Sequence, residues 1–92
     1  MARLTLTVQS YDPTRGVVAD VEGGSLQVDI DNDEIVLVGD AAGLRDLARW
    51  CLALADPAAP DGSHVHLDPN ITPLVEDTHP LRIERRDSLS EA

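Results

Sequence analysis

The chain is poor in residues that mark several protein classes: its 92 residues include one cysteine, no phenylalanine and no lysine. A single cysteine excludes a framework of intramolecular disulfides. No apolar run reaches the roughly 18 residues that a membrane span requires. Residues 1–10 alternate between polar and apolar side chains, unlike the continuous apolar stretch of a signal peptide. We therefore expect a cytoplasmic protein without a membrane segment.

Positive charge is also scarce, because seven arginines oppose 17 acidic residues and leave a formal charge of −10. Nucleic acid is an unsuitable partner for such a chain, since a phosphate backbone attracts cationic proteins. A basic protein would be attracted by the same field. The acidity is equally compatible with a simpler role in keeping a small domain soluble.

The length and composition are typical of one small globular domain. With 42% hydrophobic residues, the chain can bury one modest core and somewhat more than about 60% of its unfolded surface. We expect residues 1–86 to form this domain and residues 87–92 to form a flexible tail.

Alternating polarity predicts a run of strands in the first forty residues. Leu4, Leu6 and Val8 alternate with polar residues, as in a half-buried strand. Gly23-Gly24 predicts a two-residue hairpin loop, because glycine adopts positive φ without steric cost. Its register places one set of side chains on an apolar face: Val17, Ala19, Val21, Leu26, Val28 and Ile30. The opposite face then carries Val18, Asp20, Glu22, Ser25, Gln27, Asp29 and Asp31. Residues 31–33 predict the next turn, and residues 34–39 a compact apolar strand.

Residues 40–56 predict one long helix. Asp40 is a suitable N-cap, and the helix should end at Asp56-Pro57, because a residue before proline is pushed out of helical geometry. Helical spacing predicts a buried stripe of Leu44, Leu47, Ala48, Cys51, Leu54 and Ala55. Trp50 is expected at its edge, and the far side would carry Arg45, Asp46, Arg49 and Ala53.

Two further strands are predicted at residues 64–67 and 81–85. The element order β-β-β-β-α-β-β predicts an α+β domain, in which the helix covers the apolar face of one antiparallel sheet. With one helix available, the other face of the sheet should be open to solvent or to a partner.

His64 and His66 lie on the same side of their predicted strand, which raises the question of a metal site. Such a pair binds a metal only if a third ligand converges on it, and His79, Asp68 or Glu76 could supply one. The spacing to His79 matches no zinc motif. Alternatively, the outward histidines pair with carboxylates of a neighbouring strand.

The sequence predicts no active site and no cofactor. Cys51 is expected on the buried stripe, whereas a reactive thiol needs exposure and a cationic neighbourhood. Ser63 precedes His64, but nothing orients the two side chains toward each other. Gly23-Gly24 is followed by no helix, unlike a phosphate-binding loop. We therefore expect a protein that is not an enzyme.

The acidic face of the predicted hairpin is the candidate binding surface. The predicted partner-binding residues are Asp20, Glu22, Gln27, Asp29 and Asp31, with Asp33 and Glu34 nearby. Like charges this close oppose one another unless a partner offsets them. The face is therefore either a docking surface for a basic protein or a solvated surface.

Residues 39–69, "GDAAGLRDLARWCLALADPAAPDGSHVHLDP", together with "PLRIERRD" at residues 80–87, resemble the Immunity protein 32 family. The resemblance covers roughly residues 37–86. It implies a small cytoplasmic protein of a bacterial polymorphic toxin system, which binds and neutralises a cognate toxin. It implies no catalytic residue.

We thus expect an immunity protein that blocks a toxin by stoichiometric docking through the acidic face. The alternatives are a small metal-binding domain that uses His64, His66 and His79, and a homodimeric scaffold domain in which an exposed sheet edge self-pairs.

Overall fold

The protein is an α+β domain, as predicted, with one helix and two small antiparallel sheets. The computed structural model describes residues 2–3, 5–17, 21–68 and 78–89. Its elements are β1 (Leu26–Asp31), β2 (Glu34–Gly39), α1 (Ala41–Leu54), β3 (His64–Leu67) and β4 (Leu81–Glu84). In this part of the chain no helix has the length and apolar character needed to cross a membrane.

The first sheet is the hairpin of β1 and β2, which turns at Asn32-Asp33. Both turn residues adopt positive φ, 52° and 65°. Asparagine and aspartate tolerate this left-handed conformation, and a two-residue loop of this kind matches the twist of the paired strands. Asp31 therefore faces Glu34, and the ladder extends to Leu26 opposite Gly39. The predicted turn at residues 31–33 is confirmed.

The predicted hairpin at Gly23-Gly24 is wrong, because this segment packs on α1 instead of beside β1. The N–H of Glu22 donates to Oδ1 of Asp46 on the helix at 2.7 Å. Gly24 is buried so tightly that an added Cβ would lie 1.9 Å from the backbone nitrogen of Gly43. Val21, predicted to be in the core, is exposed, and residues 18–20 lie outside the described part.

The predicted first strand is also wrong, since residues 5–10 form no strand. The helix holds this segment instead. The N–H of Tyr11 donates to the carboxylate of Asp56 at 2.7 Å, just beyond the end of α1. Leu6 is half-buried and lines a groove with Leu44 and Ala48 of α1.

The strands form two sheets of two strands rather than one continuous sheet, in the order β-β-α-β-β. The predicted strands at residues 64–67 and 81–85 are confirmed to within one residue, with Val65 facing Ile83. Thr78 connects the segment before β4 to the first sheet. Its hydroxyl donates to the carbonyl oxygen of Val28 and also accepts the N–H of that residue.

The core lies between the two sheets and α1. Each of these elements contributes two buried side chains: Leu26 and Val28 from β1, Trp50 and Leu54 from α1, and Val65 and Leu67 from β3. The partly buried residues that pack against them are Val17, Leu37, Leu47, Leu81 and Ile83.

The predicted N-cap of α1 is confirmed. Oδ1 of Asp40 accepts the N–H of Gly43 at 2.7 Å and the N–H of Ser25 at 3.1 Å. These hydrogen bonds, chiefly that from Gly43, lower the pKa of the Asp40 carboxyl group. The helix ends at Leu54, followed by Ala55, so the predicted stop near Asp56-Pro57 is also confirmed.

The predicted buried face of α1 is largely wrong. The buried residues are Gly43, Asp46, Trp50, Ala53 and Leu54, whereas Leu44, Cys51 and Ala55 of the predicted stripe are exposed. Trp50 is fully buried, because its large ring contributes more apolar area than the smaller residues of the predicted stripe. Gly43 lies on this face because a side chain at this position would overlap the backbone of Ser25.

Asp46 is a fully buried carboxylate on this face. Oδ1 accepts the N–H of Glu22 and a hydrogen bond from Nη1 of Arg49 at 3.1 Å, while Oδ2 is buried without a partner. The carboxylate of Glu22 pairs with Arg45 at 2.6 Å and with Arg49 at 3.2 Å. The hydrogen bond from Arg45 is the main reason that the pKa of Glu22 falls from 4.5 to about 2.

Arg85 connects the end of β4 to the end of α1. Its Nη1 donates to the carbonyl oxygens of Leu54, Asp56 and Ala59, at 3.2, 2.7 and 2.8 Å. Carbonyl groups at a helix C-terminus lack helical partners and carry partial negative charge, so a guanidinium group is a favourable partner there.

Replacing Gly43→Ala should destabilise the protein. In an open helix this change is favourable by up to about 1 kcal/mol. Here the new Cβ would lie 2.2 Å from the carbonyl oxygen of Ser25. Because the backbone must move to relieve this contact, we expect a loss of about 1–3 kcal/mol. Urea unfolding measures the change, and a gain in the free energy of unfolding would contradict the packing described for Gly43.

Replacing Glu22→Gln should reduce stability in a pH-dependent way. The folded pKa of Glu22 is lowered to about 2 from 4.5, so its ion pairs stabilise the protein fully above pH 4.5 and are lost as the pH falls toward 2. The melting temperatures of the wild type and the variant should therefore converge between these pH values. Glu34→Gln is a suitable control, because no described arginine pairs with Glu34. A difference for Glu22→Gln that is constant with pH would exclude the ion pairs as its cause.

Candidate protein-binding surface

Four carboxylates cluster at the turn end of the β1–β2 hairpin, and we call them the acidic tip: Asp29, Asp31, Asp33 and Glu34. Asp29 and Asp31 alternate with the buried positions of β1, so they lie on the outer face of the hairpin together with Gln27. Asp31 faces Glu34 across the ladder. The side-chain amide of Gln27 donates to Asp29 at 2.8 Å, which orients that carboxylate.

The charges of the acidic tip are not neutralised by the arginines of the described residues. Every ion pair found within residues 21–68 and 78–89 involves other carboxylates. Like charges on neighbouring positions of a hairpin repel one another. A cationic group that docks there would therefore remove an existing repulsion as well as form new ion pairs.

An apolar pair, Ile30 and Ile35, lies at the same end of the hairpin on its opposite face. The two residues face each other across the ladder. They continue the row of Leu26 and Val28, but the core ends before it reaches them, and they are 61% and 74% exposed. Two adjacent exposed aliphatic side chains offer apolar area that a protein partner can cover.

The structure brings together some of the predicted partner-binding residues and separates others. Gln27, Asp29 and Asp31 share the outer face of β1. Glu22 does not lie on this face, because it is held against α1 by Arg45. Asp20 lies outside the described residues.

Sequence reasoning missed the apolar pair because Ile30 was assigned to the core. Alternation identifies the face on which a residue lies, but it does not show where the packed part of that face ends. The Asn32-Asp33 turn was the available signal, since residues beside a hairpin turn often extend past the body of a small domain.

The two histidines of β3 are exposed, and Val65 and Leu67 between and after them are buried, as predicted. Nε2 of His66 lies 3.5 Å from Oδ1 of Asp68, and His64 faces Glu84 of β4. Among the described residues, no three histidine, cysteine, aspartate or glutamate side chains are close enough together to hold a metal ion.

His79, the predicted third metal ligand, is held beside the first sheet by its backbone. Its backbone N–H donates to the carbonyl oxygen of Val28 at 3.2 Å. Glu76, another predicted donor, is outside the described part of the chain.

Cys51 is exposed, which corrects its prediction as a core residue. It borders a shallow cleft of about 290 Å³ together with Leu54, Ile83 and Arg86. Ser63 donates its hydroxyl to the carbonyl oxygen of Pro60 at 2.7 Å rather than to His64.

Comparison with known proteins identifies the family of the chain. The family model described as Immunity protein 32 matches residues 34–86. This match covers β2, α1, β3 and β4, and more than half of the chain. Comparisons with curated proteins and with solved structures gave no significant match. The chain therefore belongs to the Immunity protein 32 family.

Proposed function

We propose that the protein neutralises a cognate bacterial toxin by stoichiometric docking in the cytoplasm, and that the acidic tip and the apolar pair form the contact. Membership of an immunity protein family supports a toxin as the partner. A contact on this hairpin is supported by the carboxylates of the acidic tip, which form no ion pair with an arginine of the described residues. No chemical step is part of the proposal, because binding alone blocks the toxin.

The charge of the chain supports a basic toxin surface as the partner. The net charge of −10 attracts a cationic protein over distances of about 10 Å at moderate salt, and it raises the association rate. Asp29, Asp31, Asp33 and Glu34 then pair with arginine or lysine side chains at short range. Ion pairs at such a rim contribute mainly to specificity and association rate.

The apolar pair supplies the hydrophobic part of the proposed contact. Ile30 and Ile35 are already held by the ladder, so their burial requires little further ordering. Covering the pair removes apolar area from water, which adds a hydrophobic contribution to binding.

The position of the acidic tip relative to the family match suggests how a partner is selected. The match begins at Glu34, so Asp29, Ile30 and Asp31 precede it. We infer that this first strand carries contacts particular to the partner of this chain, whereas residues 34–86 supply the common scaffold.

Replacing Asp29→Asn and Asp31→Asn together should weaken toxin binding by about tenfold or more and reduce its dependence on salt, since two ion pairs are lost. The measurement is calorimetry with the purified cognate toxin at several salt concentrations.

The matched control replaces Asp61→Asn and Asp87→Asn, which changes the net charge equally at the His64–Glu84 end of the second sheet, away from the end at which His79 contacts Val28. Asp61 accepts the N–H of Asp87, and Asp87 pairs with Arg85. Its affinity should remain within about twofold of the wild type, because net charge acts weakly at this distance in salt. Equal losses in both double variants would show that net charge, and not the acidic tip, determines binding.

Replacing Ile35→Thr should weaken toxin binding by about tenfold, because a central apolar contact is lost. Threonine retains β-branching and suits a strand. Since Ile35 is 74% exposed in the free protein, the free energy of unfolding should change by less than about 0.5 kcal/mol. Unchanged affinity would exclude the apolar pair from the contact.

A further inference from the structure

The two edges of the β1–β2 hairpin differ, because only the edge of β1 is closed. There the N–H of Val28 donates to Oγ1 of Thr78, and its carbonyl oxygen accepts the N–H of His79. In an antiparallel pair, residues that bond to the partner strand alternate with residues whose backbone groups point away from it. Val28 points away from β2, so Leu37 opposite it points away from β1. Ile35, two residues before Leu37, points the same way.

The backbone groups of Ile35 and Leu37 form the open edge of β2. Within the part of the chain that the structure describes, their N–H groups and carbonyl oxygens form no hydrogen bond. The open edge ends before Gly39, where an added Cβ would lie 3.2 Å from the side chain of Leu44. Residues 34–38 thus present two free donors and two free acceptors along one line.

This open edge lacks the features that protect edge strands in other proteins. Such strands are usually interrupted by a proline, a charged residue or a bulge. Residues 35–38 are Ile-Val-Leu-Val, and the ladder with β1 is regular over six residue pairs. Ile35 and Val38 lie on opposite faces of the strand, and both are exposed. An apolar edge of this kind is a template for pairing with a strand of another molecule.

We propose that an extended segment of the toxin adds to this edge as the third strand of the first sheet. The N–H and carbonyl groups of Ile35 and Leu37 then pair with the backbone of that segment. This strand addition rests on the proposed function and specifies how the hairpin holds the toxin. Backbone hydrogen bonds along β2 align the segment, and the acidic tip lies at one end of it.

The side chains of β2 define the chemistry of the added segment. Val36 and Val38 lie on the outer face of the hairpin, so apolar residues of the toxin should lie opposite them. Glu34 lies on the same face, and Asp31 faces it across the ladder. A lysine or arginine of the toxin opposite Glu34 therefore meets two carboxylates. On the other face, an apolar residue covers Ile35.

The charge distribution favours the toxin over a second copy of the chain at this edge. Two chains of charge −10 repel each other. A second β2 would bring another Glu34 and no cation, since residues 34–38 contain no basic residue. A basic segment instead forms ion pairs with the carboxylates at the end of the edge that it occupies.

Amide hydrogen exchange of the isotope-labelled protein tests the strand addition. In the free protein the amides of Ile35 and Leu37 should exchange rapidly, whereas Val36 and Val38 donate to β1 and should exchange slowly. Saturation with the purified cognate toxin should slow exchange at Ile35 and Leu37 by about tenfold or more. Val36 and Val38 are the internal controls, because they are protected in both states.

The possible results separate the strand addition from the docking itself. If Ile35 and Leu37 still exchange rapidly while the chemical shifts of the acidic tip respond to the toxin, strand addition is overturned and the docking surface is retained. If neither responds, both proposals fail. Protection of the two amides in the free protein also overturns strand addition. It assigns the edge to a second copy where protection rises with protein concentration, and to the chain itself where it does not.

A second test compares Ile35→Pro with Ile35→Thr. Both variants lose the isoleucine side chain, but only proline also removes the outward N–H. Proline is tolerated on an edge strand where that N–H faces solvent, so circular dichroism should show a folded variant. Its toxin affinity should fall by about tenfold or more below that of Ile35→Thr, because a backbone acceptor of the toxin is left without a donor. Equal affinities of the two variants would overturn the strand addition and leave the contact of the apolar pair unaffected.

Discussion

The close approach of two backbone segments, at Gly24 and Gly43, is the constraint on which the rest of the structure depends. Neither position has room for a Cβ, so the chain entering β1 lies directly on the first turn of α1. Asp40 fixes the same crossing by accepting the N–H groups of both Gly43 and Ser25. Because this segment is held by the helix, β1 pairs with β2, and the turn of their hairpin projects away from α1 with the acidic tip.

The carboxylates near this crossing and the carboxylates of the acidic tip have different electrostatic roles. Glu22 and Asp46 lie at the helix and are matched by Arg45 and Arg49, so their charges hold the fold together. A buried carboxylate such as that of Asp46 is tolerated only when it has partners of this kind. Removing one member of such an ion pair leaves the other member without a partner. The carboxylates of the acidic tip have no such match among the described residues. Their charge is therefore available to a partner. The carboxylates of this chain thus have two roles, since some stabilise the fold and others remain available for binding.

The parts of the fold that could be predicted from sequence depend on local chemistry. Asp40 caps a helix through its own side chain, Asn32-Asp33 adopts positive φ within two residues, and alternation at residues 64–67 needs no distant contact. Gly23-Gly24 was misinterpreted because the same two residues suit a hairpin loop and a close crossing, and only the tertiary contact with Gly43 decides between them. The face of α1 was misassigned for a related reason: periodicity counts apolar residues, whereas packing favours the large ring of Trp50 and the hydrogen bonds that Asp46 accepts.

The candidate site was predicted in part for the same physical reasons. Alternation along one strand is enough to place Gln27, Asp29 and Asp31 on one face. The predicted position of Glu22 on that face depended on a hairpin that does not form. The projecting hairpin is thus the proposed docking element. Amide chemical shifts of the isotope-labelled protein, recorded during titration with the purified toxin, test this most directly. The account predicts that the largest changes occur between Gln27 and Ile35 and saturate at one toxin per chain. Changes confined to α1 and β3, with residues 27–35 unaffected, would contradict it.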